Sequence, residues 1–566
     1  MKTDNTSVRW QDIEYFSDSW EKRIAYLSCY IDDKDTKVCD IGCGQGQLKK
    51  YLPSSCQYIG VDYKKRQSVT YVCDLNRDFP QPDILDDVVF CSGSLEYIEN
   101  IEAFVSYICK YAQKVICSYC DIEIHPDVQI RQKRGWVNHL SEEKLKSLFL
   151  QNGMNFVEKG IVMKNSCFCF SKQTSKKHIK RLLVVDPIFR GSRSFFTHNA
   201  MLAMKVDFID IITRTDARTI NNDELFIDLE QKYLLYEVAK VAKDFWYKKL
   251  SEDNIKQIVE MLVFLSEKVK YEYIYFSGLD EIFPEILQIL IDEPKKSLRH
   301  AKIIFVEYSA NHFINLVAKR KLNMRNFQIR KTFLDLYVNS KIAVLDERVF
   351  DPQWSILPSS GYQKRFFFLP DPAADKLFEE NYRFKFEKKK KMLLVGTQSS
   401  RKGLDDIVGL LTKYDSCLQN LEVILVGRLS KECEHHRNFL KTSQHVVWYD
   451  EYVSESFIQR QYRDCDFVAL PYTKDFNGSS GVYAYACAYA KPIFSTNHGC
   501  IGYRVKTFKL GITYEAKDTV DMFNKLNLLL QLPINEYKHM QDQAREYAIT
   551  HNLEAHKKSI WKSYGL

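Results

Sequence analysis

Three times along the chain a basic stretch leads into an apolar run and then into a glycine-containing loop. The segments are KVCDIGCG from Lys37, KRLLVVDPIFRGS from Lys180 and KKKMLLVGTQSSRKG from Lys389. A short apolar run bounded by turn formers reads as a buried strand. After each one, further strand-like runs alternate with helical patterns, the signature of βαβ units on a parallel sheet. The pattern predicts an α/β chain of three Rossmann-like, doubly wound domains at about residues 1–170, 180–375 and 385–566. The basic runs SKKHIKR (175–181) and FEKKKKM (386–392) mark the boundaries.

Bulk properties fit that division. A chain of 566 residues holds three or four domains of ordinary size. Its 45% apolar and 27% charged content is that of globular protein. The opening MKTDNTSVRW lacks the apolar core of a signal peptide, and no apolar run approaches the roughly 20 residues that span a bilayer. A cytoplasmic protein is expected, soluble or peripheral at the inner membrane surface. The run Lys388–Lys391 is either a solvated linker or a contact for anionic headgroups, each lysine there being worth about 1 kcal/mol. The net charge of +8 permits an anionic partner without demanding one. The aromatic residues form no stacking platform interleaved with basic residues, so nucleic acid is not an expected partner. Of the 16 cysteines, eleven lie at or before Cys169, five at or after Cys417 and none between, which again marks separate domains. Cys117, Cys120, Cys167 and Cys169 sit in β-like runs without knuckle glycines, so they read as small apolar residues rather than zinc ligands.

The first domain carries chemistry at its strand ends. Asp40-Ile41-Gly42-Cys43-Gly44-Gln45-Gly46 is a strand end followed by a tight glycine turn, which lets backbone approach a ligand. Asp62 ends the next strand about 20 residues on, where a ribose-binding carboxylate belongs. Asp74 ends a third strand, and Ser92-Gly93-Ser94-Leu95-Glu96 ends a fourth. The G-x-G-x-G spacing, the acids at 40, 62 and 74, and SGSLEYI in that order resemble the class I S-adenosylmethionine-dependent methyltransferases. The resemblance covers nearly all of residues 15–165. It implies that Asp62 holds ribose hydroxyls, that Asp74 and Leu75 flank adenine, and that Gly42, Gly44 and Gly46 form the floor. Asp40 then lies near the methionine amine, and Ser92 joins the cofactor wall. The segment after the fourth strand is CSGSLEYI, not an Asn/Asp-Pro-Pro-aromatic element, which disfavours nucleobase N-methylation. A hydroxyl acceptor needs a base, and the candidates are His139, Glu96, Asp121 and His125. His139 stands just before a helix that Ser141 caps and Glu142 and Glu143 open; it serves either as that base or as a residue at the helix start.

The remaining two thirds of the chain read as one unit. MLLVGTQSSRKGLDDIVGLL, LEVILVG, VVWYDEY, YRDCDFVALPY, FNGSSGVYAYACAYAKP and KPIFSTNHGCIGYRV follow in order. This order resembles the C-terminal half of GT-B glycosyltransferases of the family-4 type, and the likeness extends over roughly residues 180–560. It implies that Lys402-Gly403, with Arg401, and the loop Gly478-Ser479-Ser480-Gly481 grip the diphosphate of a nucleotide-sugar donor. A helix N-terminus and nearby cations suit that task physically. Gly191 is a further expected donor contact, Tyr483 is expected to face the donor, and His198 and Glu281 are the catalytic candidates of this half. Three family positions depart from the usual pattern: Asn477 and Tyr485 replace glutamates, and Thr397 replaces an arginine. No metal is expected. The one Asp-x-Asp, Asp464-Cys465-Asp466, precedes its apolar strand and reads as a helix–strand turn.

The joint expectation is a bifunctional enzyme of polysaccharide biosynthesis. It would use S-adenosyl-L-methionine to O-methylate a sugar hydroxyl, and a nucleotide-sugar donor to extend a glycan or lipid-linked saccharide acceptor. The alternative is a methyltransferase joined to a catalytically inactive GT-B module that binds glycan or nucleotide.

Overall fold

The computed structural model describes residues 20–173, 179–187, 192–214, 233–239, 250–277, 283–308, 324–355, 357–371, 389–451 and 453–565. Three mostly parallel α/β sheets are present, as the alternation of apolar runs and helical patterns predicts. The first contains β1 (Lys37–Ile41), β2 (Gln57–Asp62), β3 (Tyr71–Val72), β4 (Val88–Cys91), β5 (Lys114–Tyr119), β6 (Asn155–Val162) and β7 (Asn165–Ser171). Its order is β3-β2-β1-β4-β5-β7-β6. The central pairs are parallel, and the β6–β7 hairpin closes one edge antiparallel. The chain reverses direction across the sheet between β1 and β4, which opens a crevice at their carboxyl ends.

The second sheet contains β8 (Arg181–Asp186), β9 (Phe208–Arg214), β10 (Tyr233–Ala239), β11 (Tyr273–Phe276), β12 (Lys302–Glu307), β13 (Ser340–Val344) and β14 (Phe366–Phe368), in the order β10-β9-β8-β11-β12-β13-β14. The third contains β15 (Lys390–Val395), β16 (Leu421–Val426), β17 (Val446–Tyr449), β18 (Phe467–Leu470), β19 (Ile493–Thr496) and β20 (Gly511–Tyr514). It is parallel throughout, in the order β17-β16-β15-β18-β19-β20.

Local sequence explains the elements that frame the sites. The helix Ile101–Tyr111 starts where the Asn100 side chain accepts the Ala103 N–H, and its buried positions 101, 104, 105, 108 and 109 make one face. That face joins β1, β4 and β5 in a core with Phe104 and Phe149, each such side chain contributing about 1.5–3 kcal/mol on burial. The helix Glu142–Gln151 starts at Ser141, whose hydroxyl accepts the Lys144 N–H, with Glu142 and Glu143 in its first turn. Asp464 ends a helix, Cys465 caps it, and Asp466 accepts the Lys391 N–H at 2.7 Å before β18 begins, a helix–strand turn as the sequence predicts.

By its contacts the chain separates into two units. The first is Met1–Ser194, Met204–Phe276 and Glu293–Ile303; the second is Phe195–Ala203, Ser277–Asp292 and Ile304–Leu566. This grouping differs from a boundary at residues 170–180, and the reason lies in the packing of the first unit. Tyr26 meets the Phe208 ring edge-on at 4.9 Å, and Tyr30, Cys167 and Cys169 share a core with Phe208 and Leu234. Arg181 is buried in an ion pair with Asp210, whose carboxylate also accepts the Tyr271 hydroxyl at 2.7 Å. Helical and strand periodicity mark Tyr26 and Phe208 as buried, but not as neighbours.

Candidate functional site

The first unit holds a cavity of about 780 Å³ at the carboxyl ends of β1, β2 and β4. That volume suits a cofactor together with part of a second substrate. Its wall includes Asp40, Gly42, Gly44, Asp62, Asp74, Leu75, Ser92 and Glu96. Gly42 takes φ +73, and a Cβ there would run into the Ser94 side chain, so the turn can press against the β4 end only as glycine. Gly46 does not line the cavity. It precedes the short helix Gln47–Tyr51, and its space is bounded by Ser68 and Tyr58.

The acids differ in environment. Burial pushes the Asp40 carboxyl up to about 7, against the opposing pull of the Tyr58 hydroxyl bonded to it at 2.9 Å. Asp62 accepts the Gly44 N–H at 2.9 Å and pairs with Arg66 at 3.0 Å, so its carboxylate is already held in place at the crevice. Asp74 is more exposed and pairs with Arg77 at 3.3 Å. Glu96 is 1% exposed; one oxygen accepts the Cys120 N–H at 2.8 Å, and the other, Oε2, has no hydrogen-bond partner.

His139 does not line the cavity, and its Nδ1 accepts the Arg131 Nε–H at 3.0 Å, which occupies the lone pair a base would use. Asp121 is consumed by the Ile124 N–H and the Ser166 hydroxyl. His125 does line the cavity, edge-on to Trp136 at 5.4 Å. Its Nε2 bonds the Lys164 carbonyl at 2.7 Å, so Nε2 carries the proton and Nδ1 the lone pair. Burial lowers its pKa, which keeps the ring neutral. Trp136 donates its indole N–H to the Tyr97 hydroxyl at 3.2 Å. Arg23, Trp136 and Asn165 also line the cavity, and no local motif reveals them.

In the second unit the glycine and serine loop 477–481 leads into the helix Gly481–Ala488, which no side chain caps; its Gly481 and Val482 N–H groups precede the first helical bond, from Tyr483 N–H to the Ser480 carbonyl at 3.0 Å. Lys402 and Arg401 stand at the end of the loop after β15. Gly403 takes φ +79 against the Pro471 carbonyl, where a Cβ would have no room, and so fixes this loop beside β18. Lys402 Nζ packs over Gly396 and donates to the Val395 carbonyl at 3.3 Å; burial, then the neighbouring Arg401 charge, lowers its pKa to about 8. Arg401 lies over the Phe476 ring at 5.2 Å.

The loop is also bound from behind. Ser479 donates to Asp371 at 2.5 Å and accepts from Arg504 at 2.8 Å, and Ser480 bonds the Tyr472 hydroxyl at 3.0 Å. The Asn477 carbonyl accepts from Arg348 at 3.4 Å. Arg504 is buried, pairs with Glu347 at 2.9 Å and donates to the Leu345 carbonyl at 2.5 Å. Burial raises the Asp371 carboxyl despite its bond to Ser479 and the nearby Arg504 charge. Tyr483, expected to face a donor, is instead 1% exposed: it packs edge-on to Tyr547 at 5.4 Å and beneath the Arg504 guanidinium at 5.5 Å. The cause is burial of this helix on most of its sides, since positions 483, 484, 486, 487 and 488 all join the core. Tyr485 stacks on Tyr462 at 5.6 Å. His198 is buried on the helix Ser192–Ala203. Gly191 and Glu281 lie outside the described residues.

Comparisons with known proteins follow the same division. A family model described as a methyltransferase domain matches residues 13–159, and one described as glycosyl transferases group 1 matches residues 376–547. The chain therefore carries a methyltransferase domain and a group 1 glycosyltransferase domain. No curated protein matches it. Among solved structures, sucrose-phosphate synthase from Thermosynechococcus elongatus is similar with a TM-score of 0.50 and 14% identity, over 68% of this chain and 98% of that one. Anabaena HepE in complex with UDP gives a TM-score of 0.49 and 11% identity, over 68% and 100%. A glycosyltransferase from Rickettsia africae gives 0.49 and 14%, over 68% and 98%. At such identities the likeness is one of fold, and the fold is GT-B. Among the described residues, no helix is long and apolar enough to cross a membrane.

Proposed function

We propose that this chain, with its methyltransferase and glycosyltransferase domains, is a bifunctional enzyme of glycan biosynthesis. It O-methylates a sugar hydroxyl with S-adenosyl-L-methionine and transfers a sugar from a nucleotide-sugar donor to a glycan or lipid-linked saccharide acceptor, in a cytoplasmic setting. The observation that carries the methyl half is a single cavity whose wall runs from Asp62, Asp74 and the glycine turn to Glu96, His125 and Trp136. When bound, the methyl donor supplies an electrophilic methyl group on a sulfonium.

The rest falls to this chain's residues. Asp62 takes the ribose hydroxyls, Asp74 and Leu75 flank the adenine, and a cationic amine beside Asp40 draws its raised pKa back down. Trp136 offers an apolar face to the sugar ring, and Glu96 Oε2 accepts a hydroxyl. A sugar hydroxyl loses its proton as the methyl arrives, and His125 Nδ1 receives it. Replacing His125 with Gln is expected to lower kcat/KM by about 10²- to 10⁴-fold while S-adenosylhomocysteine affinity stays within about twofold. An undiminished rate would remove His125 from the mechanism. Incubation with labelled S-adenosylmethionine and a panel of glycans tests the reaction class; if no glycan gains label, the sugar-methylation reading fails.

For the sugar-transfer half, Gly478 to Gly481, Arg401 and Lys402 would receive the diphosphate, where negative charge builds as the sugar leaves. The lowered pKa of Lys402 gives this a pH signature. Without donor, the ammonium loses its proton as pH rises through about 8. Phosphate favours the charged form, so binding above that pH takes up a proton and weakens, by up to about tenfold per pH unit. Calorimetry with UDP, GDP and dTDP between pH 7 and 9.5, in buffers of different ionisation enthalpy, is expected to show this uptake. In Lys402→Met it should vanish; a pH-independent affinity in the wild type would contradict the role.

The second reading, a nucleotide- or glycan-binding module without turnover, is favoured by the loop's own bonds, since Ser479 and the Asn477 carbonyl are committed to Asp371, Arg504 and Arg348. Nucleotide-sugar binding without hydrolysis or transfer would select it.

A further inference from the structure

Among the described residues, two groups of three metal-ligating side chains come together in the second unit, and their surroundings set them apart. Asp346, Glu347 and Cys500 form one. There Arg348 pairs with Asp346 at 2.7 Å and Arg504 with Glu347 at 2.9 Å, so two guanidiniums already neutralise the acids. Asp405, His435 and His436 form the other, where among the described residues no arginine or lysine pairs with the acid. Asp405 stands in the first turn of the helix Leu404–Lys413, and both histidines end the short helix Lys431–His436. His436 Nε2 meets Asp405 Oδ1 at 2.7 Å, and the two imidazole rings lie 3.9 Å apart.

One ligand atom from each of these three residues lies within 4.8 Å of the other two. A tetrahedral zinc ion with bonds of about 2.0–2.2 Å needs its ligand atoms about 3.3–3.6 Å apart. All three side chains are at least partly open to solvent, so rotation about their own bonds closes the difference. The backbone beneath them is fixed. Gly403, at φ +79 against the Pro471 carbonyl, sets where the helix carrying Asp405 begins. Two imidazoles and one carboxylate suit a borderline ion such as zinc, with water in the fourth position, whereas magnesium and calcium prefer oxygen ligands throughout.

We propose that Asp405, His435 and His436 form a zinc site that clamps the loop after β15. That loop carries Arg401 and Lys402, and the helix Lys431–His436 already touches it. Glu432 accepts the Ser400 N–H at 3.2 Å, and Cys433 Sγ lies 3.3 Å from the Ser400 hydroxyl. An ion bridging Asp405 to the two histidines fastens this contact from its other side, so the loop has less freedom to lose when a nucleotide binds. The proton between His436 Nε2 and Asp405 leaves that position as the metal enters. The ion takes no part in sugar transfer itself. The metal site stands apart from the sugar-transfer reading above, whereas its effect on nucleotide binding rests on that reading.

The test titrates the full-length wild type, His435→Ala, His436→Ala and Asp405→Asn with Zn²⁺ by calorimetry, and with Co²⁺ followed by visible absorption. The wild type is expected to bind one equivalent, and each variant at least about tenfold more weakly, since even groups outside the ligand shell cost that much when lost. Mg²⁺ should show no such site. Because the three side chains lie at the surface, the metal-free variants should melt within about two degrees of the wild type. No zinc binding by the wild type, or affinities equal within about twofold in all four proteins, overturns the proposal. A second arm measures UDP, GDP and dTDP affinity of the wild type and His435→Ala with and without saturating Zn²⁺; the variant accounts for the ion's own attraction to phosphate. Zinc is expected to tighten nucleotide binding about fivefold or more in the wild type only. An equal effect in both proteins overturns the clamp and leaves the metal site. If the wild type binds none of the three nucleotides, the sugar-donor reading fails and the clamp with it, while the zinc titration decides the site by itself.

Discussion

Exchanging Asp62 for Ala is expected to weaken S-adenosylhomocysteine binding by about 100-fold. Two ribose hydroxyls bonded to an ionised carboxylate are worth about 1.5–3 kcal/mol each, and about 1.4 kcal/mol is a factor of ten in affinity. Part of that gain is offset, because Asp62 already accepts the Gly44 N–H and pairs with Arg66. For the same reason the carboxylate is held in place before ligand arrives, so little ordering entropy is lost on binding. Asp62→Asn should lose less, since it keeps an acceptor oxygen for Gly44. Titration calorimetry decides the matter. An affinity unchanged within about twofold would mean that ribose does not sit at the end of β2, and the assignment of the whole cavity would have to be reversed.

The second large effect is on stability. Arg504→Met should destabilise the second unit by about 3 kcal/mol or more, because breaking a buried ion pair leaves its partners unsatisfied. Arg504 contacts Glu347, Ser479 and the Leu345 carbonyl, and it packs on Tyr483. Losing it leaves Glu347 with the Tyr547 hydroxyl at 3.3 Å and His551 at 3.9 Å, and leaves the Ser479–Asp371 contact without its cation. The melting transition that reports the second unit is expected to drop by several degrees. Nucleotide affinity should fall as well, since Ser479 lies in the loop proposed to hold the diphosphate. A transition unmoved within about one degree would show the network to be dispensable. Arg504→Lys separates charge from geometry: a lysine restores the cation but cannot reach Glu347, Ser479 and Leu345 together.

Much of the fold was legible because its signals are short-ranged. A strand ending in a glycine turn, an acid at the next strand end and a serine or asparagine before an apolar helix each act within a few residues. Ser141 caps its helix where the sequence places the cap. Asp464 to Asp466 form the turn that their position before an apolar run implies. The cavity wall likewise gathers Asp40, Gly42, Gly44, Asp62, Asp74, Leu75, Ser92 and Glu96, which the chain presents at the ends of consecutive strands.

The residues that were not legible depend on partners far away in sequence. Arg23 meets Ser92 and Asn165 across 69 and 142 positions, and Arg504 meets Glu347 across 157. His139 and His125 look alike as bases in the chain, and only the folded geometry gives one its cavity and the other to Arg131. Tyr483 follows a phosphate-type loop and reads as a donor contact, but the turn of its helix buries it beneath Arg504. Periodicity tells which face of an element goes inward; it does not tell what that face will meet. The sequence by itself therefore determined three mostly parallel α/β sheets, the glycine turn with its acids, and the loop at residues 477–481. The tertiary structure alone decided which imidazole borders the cavity and which serine is already taken, because each depends on contacts between elements that no local pattern encodes.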